Sequence, residues 1–503
     1  YRAAIEAGAL SVMASFNELN GTPATANRFL LQQVLRDEWG FQGFVVTDYT
    51  AINEMVLHGS AKDQADAARQ ALAAGVDLDM QSGAYLNRLK QQLAAGQITE
   101  AQINAAAKRI LEVKFKLGLF DNPYRHCDEQ REQQVLHSKE NLATAYRLAC
   151  ESFVLLKNTH QTLPLKAGQK IAVIGPLADS QRDLLGSWIG QGDWGFCETV
   201  LDGIKRNNLG GKVTFTAGCD VDSTNRSGFA KAIADAKRAD VAVLVLGESC
   251  DMSGEAKCRT SISLPGVQTE LLREIKKTGK PVVVVLMNGR PLALPEEAQL
   301  ADALLEAWFP GTKGGTAVAD VLFGQHNPCG KLPATFPRTV GQIPIFYAAK
   351  NTGRPFSPTN PKADYKSTYL DCPNDPLYPF GFGLSYTSFG YSEVRLDRAT
   401  LNPGEKIQAT VTVTNTGNYA GAEVVQLYLR DLVGSVTRPV RELKGFQKIE
   451  LQPGESREIL FAIGENELKF LRADMTVGTE PGEFEVFIGP NSRDTHAAKF
   501  ELR

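Results

Sequence analysis

Two hydrophobic rhythms divide this chain. Up to about residue 350, short apolar runs alternate with stretches of helical periodicity, whereas over the last ~110 residues the period shortens to two, with turns rich in Pro and Gly between segments and no helix. The first rhythm implies parallel strands joined by right-handed crossovers, and the second implies a β-sandwich. At 503 residues the chain is too long for one core, and a prior of ~150 residues per domain suggests about three.

Within the first rhythm, residues 11–16, 44–47 and 76–80 read as strands, and 53–75 (including the regular stretch 61–74) and 100–117 read as helices. Three strand–helix units cannot close a barrel, which takes eight, and an open three-stranded parallel sheet would leave an unprotected edge. The expectation is therefore the C-terminal part of a (β/α)8-type barrel over 1–122, with earlier strands that precede Tyr1. Residues 119–132 carry many charges and read as a linker, and 138–151 as a helix leading into a second domain, so that 123–151 forms the connection. The second domain, 152–354, shows strands at 152–157, 170–175, 213–217, 241–247, 281–287 and 303–308, with helices such as 228–238 and 267–278 between several of them. A Pro-, Asn- and Tyr-rich connection follows within 355–390. In the last domain, 391–503, alternating segments at 407–416, 423–431, 456–463 and 482–488 predict the sandwich.

Composition excludes several function classes. A net charge of −3 with interspersed signs offers no basic face to nucleic acid and no polybasic run to a membrane. The longest apolar run, 281–287, falls far short of the ~18 residues of a span, so no membrane crossing is expected. Eight cysteines lack any C-x-x-C spacing, and the six histidines, at 58, 126, 137, 160, 326 and 496, lack ligand spacing, so no metal is expected. Cys250 and Cys258 bracket a short loop that a disulfide would close; two unrelated thiols are the equal alternative.

Two carboxylates carry the chemistry. Asp48 ends the run Gly43-Phe44-Val45-Val46-Thr47, at the exit of a buried strand, where side chains of a parallel barrel converge on one mouth. The plainer reading is a cap on the next helix. Glu255 lies in the loop after the apolar strand 241–247, at the edge of the second sheet where function collects, although alone it reads as a solvated loop acid. Two carboxylates on neighbouring domains suggest glycoside hydrolysis. A nucleotide-binding reading, drawn from the strand and Gly turn at 171–179, fails because that turn lacks G-x-G-x-x-G, and Gly190-Gln191-Gly192-Asp193-Trp194-Gly195 fits the spacing but follows no strand.

Ordered motifs from Asn20-Gly21-Thr22-Pro23 through Gly43 to Tyr49, Gly118 to Tyr124, Val154-Leu155-Leu156-Lys157-Asn158, Ile171 to Asp179, Gly254-Glu255 with Arg259 and Leu264-Pro265, Leu286 to Leu292, Trp308-Phe309-Pro310-Gly311 and Tyr378 to Tyr386 follow one another along the whole chain. In this the chain resembles glycoside hydrolase family 3 β-glucosidases of the bacterial periplasmic type. The resemblance implies the barrel part, an α/β sandwich and a fibronectin type III-like domain, with Asp48 as nucleophile and Glu255 as general acid/base of a retaining exo-glycosidase that releases terminal β-D-glucose and needs no cofactor. Tyr49 stands where the family commonly has Trp and Phe16 where it commonly has Tyr; Trp188 and Trp194 resemble its aromatic wall, or else pack a domain interface; Arg259 is expected to steady Glu255, or otherwise to pair with a surface acid. Further sugar contacts, an Asp, an Arg and a Lys-His pair, belong to the barrel's earlier strands. The family's N-acetylglucosaminidase branch draws its acid/base from a barrel His, and Glu255 argues against that branch. A β-xylosidase on the same scaffold is the nearest alternative, and a non-catalytic glycan-binding protein the alternative of another class. Relatives of this type are exported to the periplasm or beyond. The terminal sandwich either buttresses its neighbours or makes a homodimer contact, a choice the sequence leaves open.

Overall fold

The computed structural model describes residues 1–357, 359–360 and 363–503, so that three positions of the expected 355–390 connection lie outside the described residues. Two compact units divide the chain, Tyr1–Leu136 and His137–Arg503.

In the first unit, strands Ser11–Ala14 and Phe44–Thr47 pair in parallel, Ser11 opposite Phe44 through Ala14 opposite Thr47. Among the described residues the expected strand at 76–80 forms a single parallel bridge, Leu78 to Val46, rather than a ladder. Asp77 explains why: its carboxylate accepts the Val45 N–H at 2.8 Å and is held by Arg36 and Arg109, each at 2.7 Å, so a side chain occupies a ladder position. Arg36 comes from the helix Phe29–Glu38, wound with π-type hydrogen bonds, and Arg109 from Glu100–Lys116. One buried carboxylate thus ties two helices to the sheet. The stretch 53–75 is two helices, Ala51–Leu57 and Gln64–Ala74, interrupted at Gly59, whose φ is +74°. Asp63 restarts the helix by accepting the Asp66 N–H at 2.8 Å. Ile52, Met55, Ala67, Ala68 and Ala71 turn inward against Val45, each large apolar side chain contributing about 1.5–3 kcal/mol of burial.

The second unit is built on a six-stranded sheet in the spatial order Val154–Asn158, Ala303–Glu306, Val282–Met287, Val241–Gly247, Lys170–Ile174, Lys212–Thr216. The first of these runs antiparallel to its neighbour and the remaining five are parallel. Helices cover both faces, and for that reason Val241–Gly247 and Val282–Met287 are buried at every position and read as continuous apolar runs. Counted along the chain, the five parallel strands lie in the order 2-1-3-4-5, which puts a topological switch point between Lys170–Ile174 and Val241–Gly247.

The same unit ends in two facing antiparallel sheets. One holds Ile407–Asn415 and Ser456–Ile463; the other runs His496–Leu502, Gly482–Gly489, Gly421–Asp431, Glu442–Leu451. Their inward residues, among them Val411, Val413, Leu427, Ile459, Val486 and Phe500, form one core.

Candidate functional site

Asp48 leaves its strand beside the exit of Ser11–Ala14, its N–H donating to the Ala14 carbonyl at 3.1 Å. Its Oδ1 accepts the Tyr49 N–H at 2.7 Å. The following helix has Thr50 as its N-cap residue, with left-handed φ of +62° and no side-chain cap, so Asp48 does not cap it. Asp48 Oδ2 has no hydrogen-bond partner among the described residues. Tyr49 is exposed, and Phe16, two residues beyond Ala14, lies half-buried at the same strand edge. Sequence reasoning passed over Asp79, which follows the Leu78 bridge and receives the Ser82 N–H at 3.2 Å and the Tyr85 N–H at 3.1 Å.

In the second unit the loops after the switch-point strands meet. Asp183, from the loop after Lys170–Ile174, accepts the Cys250 N–H at 2.7 Å, and Arg182 lies 3.9 Å from Asp251. At Gly254, where φ is +124°, an added Cβ would come 2.7 Å from Ser187 Oγ and 3.5 Å from Trp188 Nε1. The turn that presents Glu255 therefore rests directly on Ser187 and Trp188. Trp188 is 76 % exposed and Trp194 46 % exposed, with the Arg182 guanidinium 5.6 Å from the Trp194 ring centroid. Both indoles are open to solvent, Trp188 beside the turn that carries the exposed Glu255.

Arg259 does not turn to Glu255. It pairs at 2.7 Å with Glu248, a carboxylate of zero exposure rather than the surface acid of the alternative reading. Arg290 reaches the same carboxylate at 3.0 Å. Below them Glu306 accepts the Trp308 N–H at 2.9 Å and an Asn288 N–H at 3.2 Å. Burial pushes the Glu306 carboxyl up to about 8, the two hydrogen bonds oppose the rise, and the Glu248 charge adds to it. None of Glu248, Arg290 and Glu306 was singled out from sequence; the available signal was an acid next to the end of a fully apolar strand.

The disulfide reading of Cys250 and Cys258 is not met: both are free thiols, the first buried and the second exposed. Burial, with a hydrogen bond to Asp183, pushes the Cys250 thiol up to about 12. Among the described residues no group of three His, Cys, Asp or Glu side chains is arranged to hold a metal ion, and no helix is long and apolar enough to cross a membrane.

Residues 1–113 match the glycosyl hydrolase family 3 N terminal domain, 153–386 the family 3 C-terminal domain and 423–492 a fibronectin type III-like domain. The periplasmic beta-glucosidase of Salmonella typhimurium is 47% identical over 532 aligned residues, covering 100% of this chain and 69% of the relative. A beta-xylosidase of Formosa agariphila is 40% identical over 504 residues, covering 97% of this chain and 68% of the relative. Among solved structures, the beta-glucosidase of Listeria innocua in complex with glucose superposes with a TM-score of 0.94 at 40% identity, over 100% of this chain and 68% of that one. The expected architecture of barrel part, α/β sandwich and fibronectin type III-like domain is borne out, and with it the chemistry class: the chain is a glycosidase and belongs to glycoside hydrolase family 3.

Proposed function

We propose that the protein is a retaining exo-β-glucosidase in which Asp48 is the nucleophile and Glu255 the general acid/base. The Asp48 carboxylate attacks the anomeric carbon while Glu255, as the acid, donates its proton to the departing glycosidic oxygen, leaving a glucosyl ester on Asp48. Glu255, now a carboxylate, takes a proton from water; the water attacks the same carbon, releases β-glucose and frees Asp48. Two inversions give net retention. Trp188 and Trp194 supply apolar faces for sugar C–H surfaces around Glu255, and Tyr49 and Phe16 do so around Asp48. Arg259 acts on the loop through Glu248 rather than on the sugar.

The observation that carries the reading is the state of Asp48: it stands at the exit of a barrel-type strand, caps no helix and spends one carboxylate oxygen on the backbone. Identity to a periplasmic beta-glucosidase supports glucose as the sugar and the periplasm, or the cell exterior, as the place of action. Incubation with an activated 2-deoxy-2-fluoro-β-glucoside followed by peptide mass spectrometry tests it. One fluoroglucosyl adduct on the peptide carrying Asp48 is expected; an adduct on another residue would overturn the assignment. The similarity to a beta-xylosidase favours one second reading, which wins if only the corresponding fluoroxyloside labels Asp48.

A further inference from the structure

The loop from Glu248 to Arg259 has little backbone structure of its own. Its internal backbone bonds are Met252 N–H to Ser249 O at 3.0 Å and Lys257 N–H to Gly254 O at 3.3 Å. Gly254 and Ala256 both have positive φ, +124° and +56°, on either side of Glu255. Such a turn does not hold a carboxyl group in place unaided.

What holds it comes from outside. Glu248 is the first residue of the loop and Arg259 the last, and their 2.7 Å ion pair closes the loop at its base. Arg290, from the turn after Val282–Met287, donates one N–H to Glu248 and further N–H groups to the carbonyls of Met252 and of Lys257, the latter at 2.9 Å. Those two carbonyls bracket Glu255. Gly289 lies against Ser253 so closely that any Cβ there would collide with its side chain. Asn288 continues the chain of bonds, donating to the Arg290 carbonyl at 2.9 Å and to Glu306.

We propose that Glu248 and Arg290 are positioning residues for the general acid/base: the buried Glu248 carboxylate fixes the Arg290 and Arg259 guanidiniums, and Arg290 staples the two carbonyls on either side of Glu255. The proposal rests on Glu255 being the acid/base, and predicts that loosening the staple weakens proton donation more than it weakens anything else.

The test compares Glu248→Gln, Arg290→Lys and Glu255→Gln in the full chain. Hydrogen exchange, read by mass spectrometry on peptides covering 248–259, needs no turnover. In both clamp variants it is expected to quicken by about 10-fold or more in this loop, while peptides from Lys170–Ile174 and Val282–Met287 stay as protected as before. Unchanged loop exchange in Glu248→Gln and Arg290→Lys alike overturns the clamp. The second readout is leaving-group dependence. General acid help is worth ~10²–10⁴-fold where the departing oxygen is basic, and little where it leaves as dinitrophenolate. A disaccharide substrate should therefore lose about 10–100-fold in kcat/KM in the clamp variants, and dinitrophenyl β-glucoside less than about 3-fold. Equal losses on both substrates mean a merely structural role and overturn the positioning claim. If Glu255→Gln itself shows no leaving-group dependence, the acid/base assignment is what falls, and with it this use of the clamp.

Discussion

Glu306 and Asp77 are both buried carboxyl groups, and the structure treats them in opposite ways. Asp77, its side chain 1 % exposed, lies between two guanidiniums at 2.7 Å and also accepts a backbone N–H. Removing its charge leaves Arg36 and Arg109 facing each other over an uncompensated site, so Asp77→Asn should cost the first unit about 3–5 kcal/mol, measured as a shift in its urea midpoint. Among the described residues no cation pairs with Glu306, which is held protonated by burial, its pKa moving from an ordinary 4.5 up to about 8. Below 4.5 folded and unfolded chains both carry the proton and the group contributes no slope. Between 4.5 and about 8 the unfolded chain has released it while the folded chain keeps it, so stability falls as pH rises, on the order of 1 kcal/mol per unit, and levels off above 8. Glu306→Gln, which cannot ionise, should flatten the stability profile of the second unit over that window; an unchanged slope would assign the pH dependence elsewhere.

At the scale of elements, the strand exits that build the site depend on glycine. Gly175 has φ of +118° and Gly247 of +145°, and a Cβ on either would collide with a carbonyl of the adjacent strand, that of Val245 or of Met287. Gln268 completes the second exit, accepting the Gly247 N–H at 2.9 Å and donating to its carbonyl at 2.8 Å. Strain and collision together predict that Gly247→Ala costs about 3 kcal/mol or more in urea unfolding, well beyond an exposed Gly→Ala exchange. This edge also marks how far the sequence could be read. Val241–Gly247 was legible to the residue because both its faces are covered, and Ser456–Ile463 because one face is. Glu442–Leu451 went unread: only two of its ten positions are buried, and its Lys, Gln and Glu residues carry no alternation until the last turn of the ladder. The break at Gly59 went unread because both helices keep the same periodicity across it. Glu255 was found through its motif and its place after a strand. Its support was not, since Glu248 and Arg290 are 42 residues apart and no local pattern joins them; the pairing of Arg259 with the buried Glu248, 11 residues before it, was named by neither reading of Arg259.

On the scale of the whole second unit, the question is what seats the terminal sandwich on the six-stranded sheet's domain. Lys331 and Glu423 pair at 2.7 Å with only 12 % and 6 % of their side chains exposed, and Lys448 reaches Glu151 at 2.9 Å. Gln426, buried in the sandwich, donates to the Gly381 carbonyl at 3.1 Å, and Asn327 donates to the Ala420 carbonyl at 2.9 Å. Glu423 and Gln426 are buried, Lys331 is largely covered, and all three are paired at this seam, as a buttressing contact requires. The Lys331–Glu423 pair gives the sharpest test, because a buried ion pair resists loss of one partner far more than loss of both. Lys331→Met should leave Glu423 buried without its cation and cost about 3–5 kcal/mol, and Glu423→Leu should cost somewhat less because Lys331 keeps its bond to the Gly383 carbonyl at 2.9 Å. The double variant Lys331→Met with Glu423→Leu should recover most of the loss, giving a coupling energy of about 2 kcal/mol or more in a double-mutant cycle read by urea unfolding. Additive losses would mean that the two side chains do not meet across the seam. If the sandwich is the buttress, the single variants should also split one unfolding transition into two, the sandwich separating before the sheet that carries Glu255.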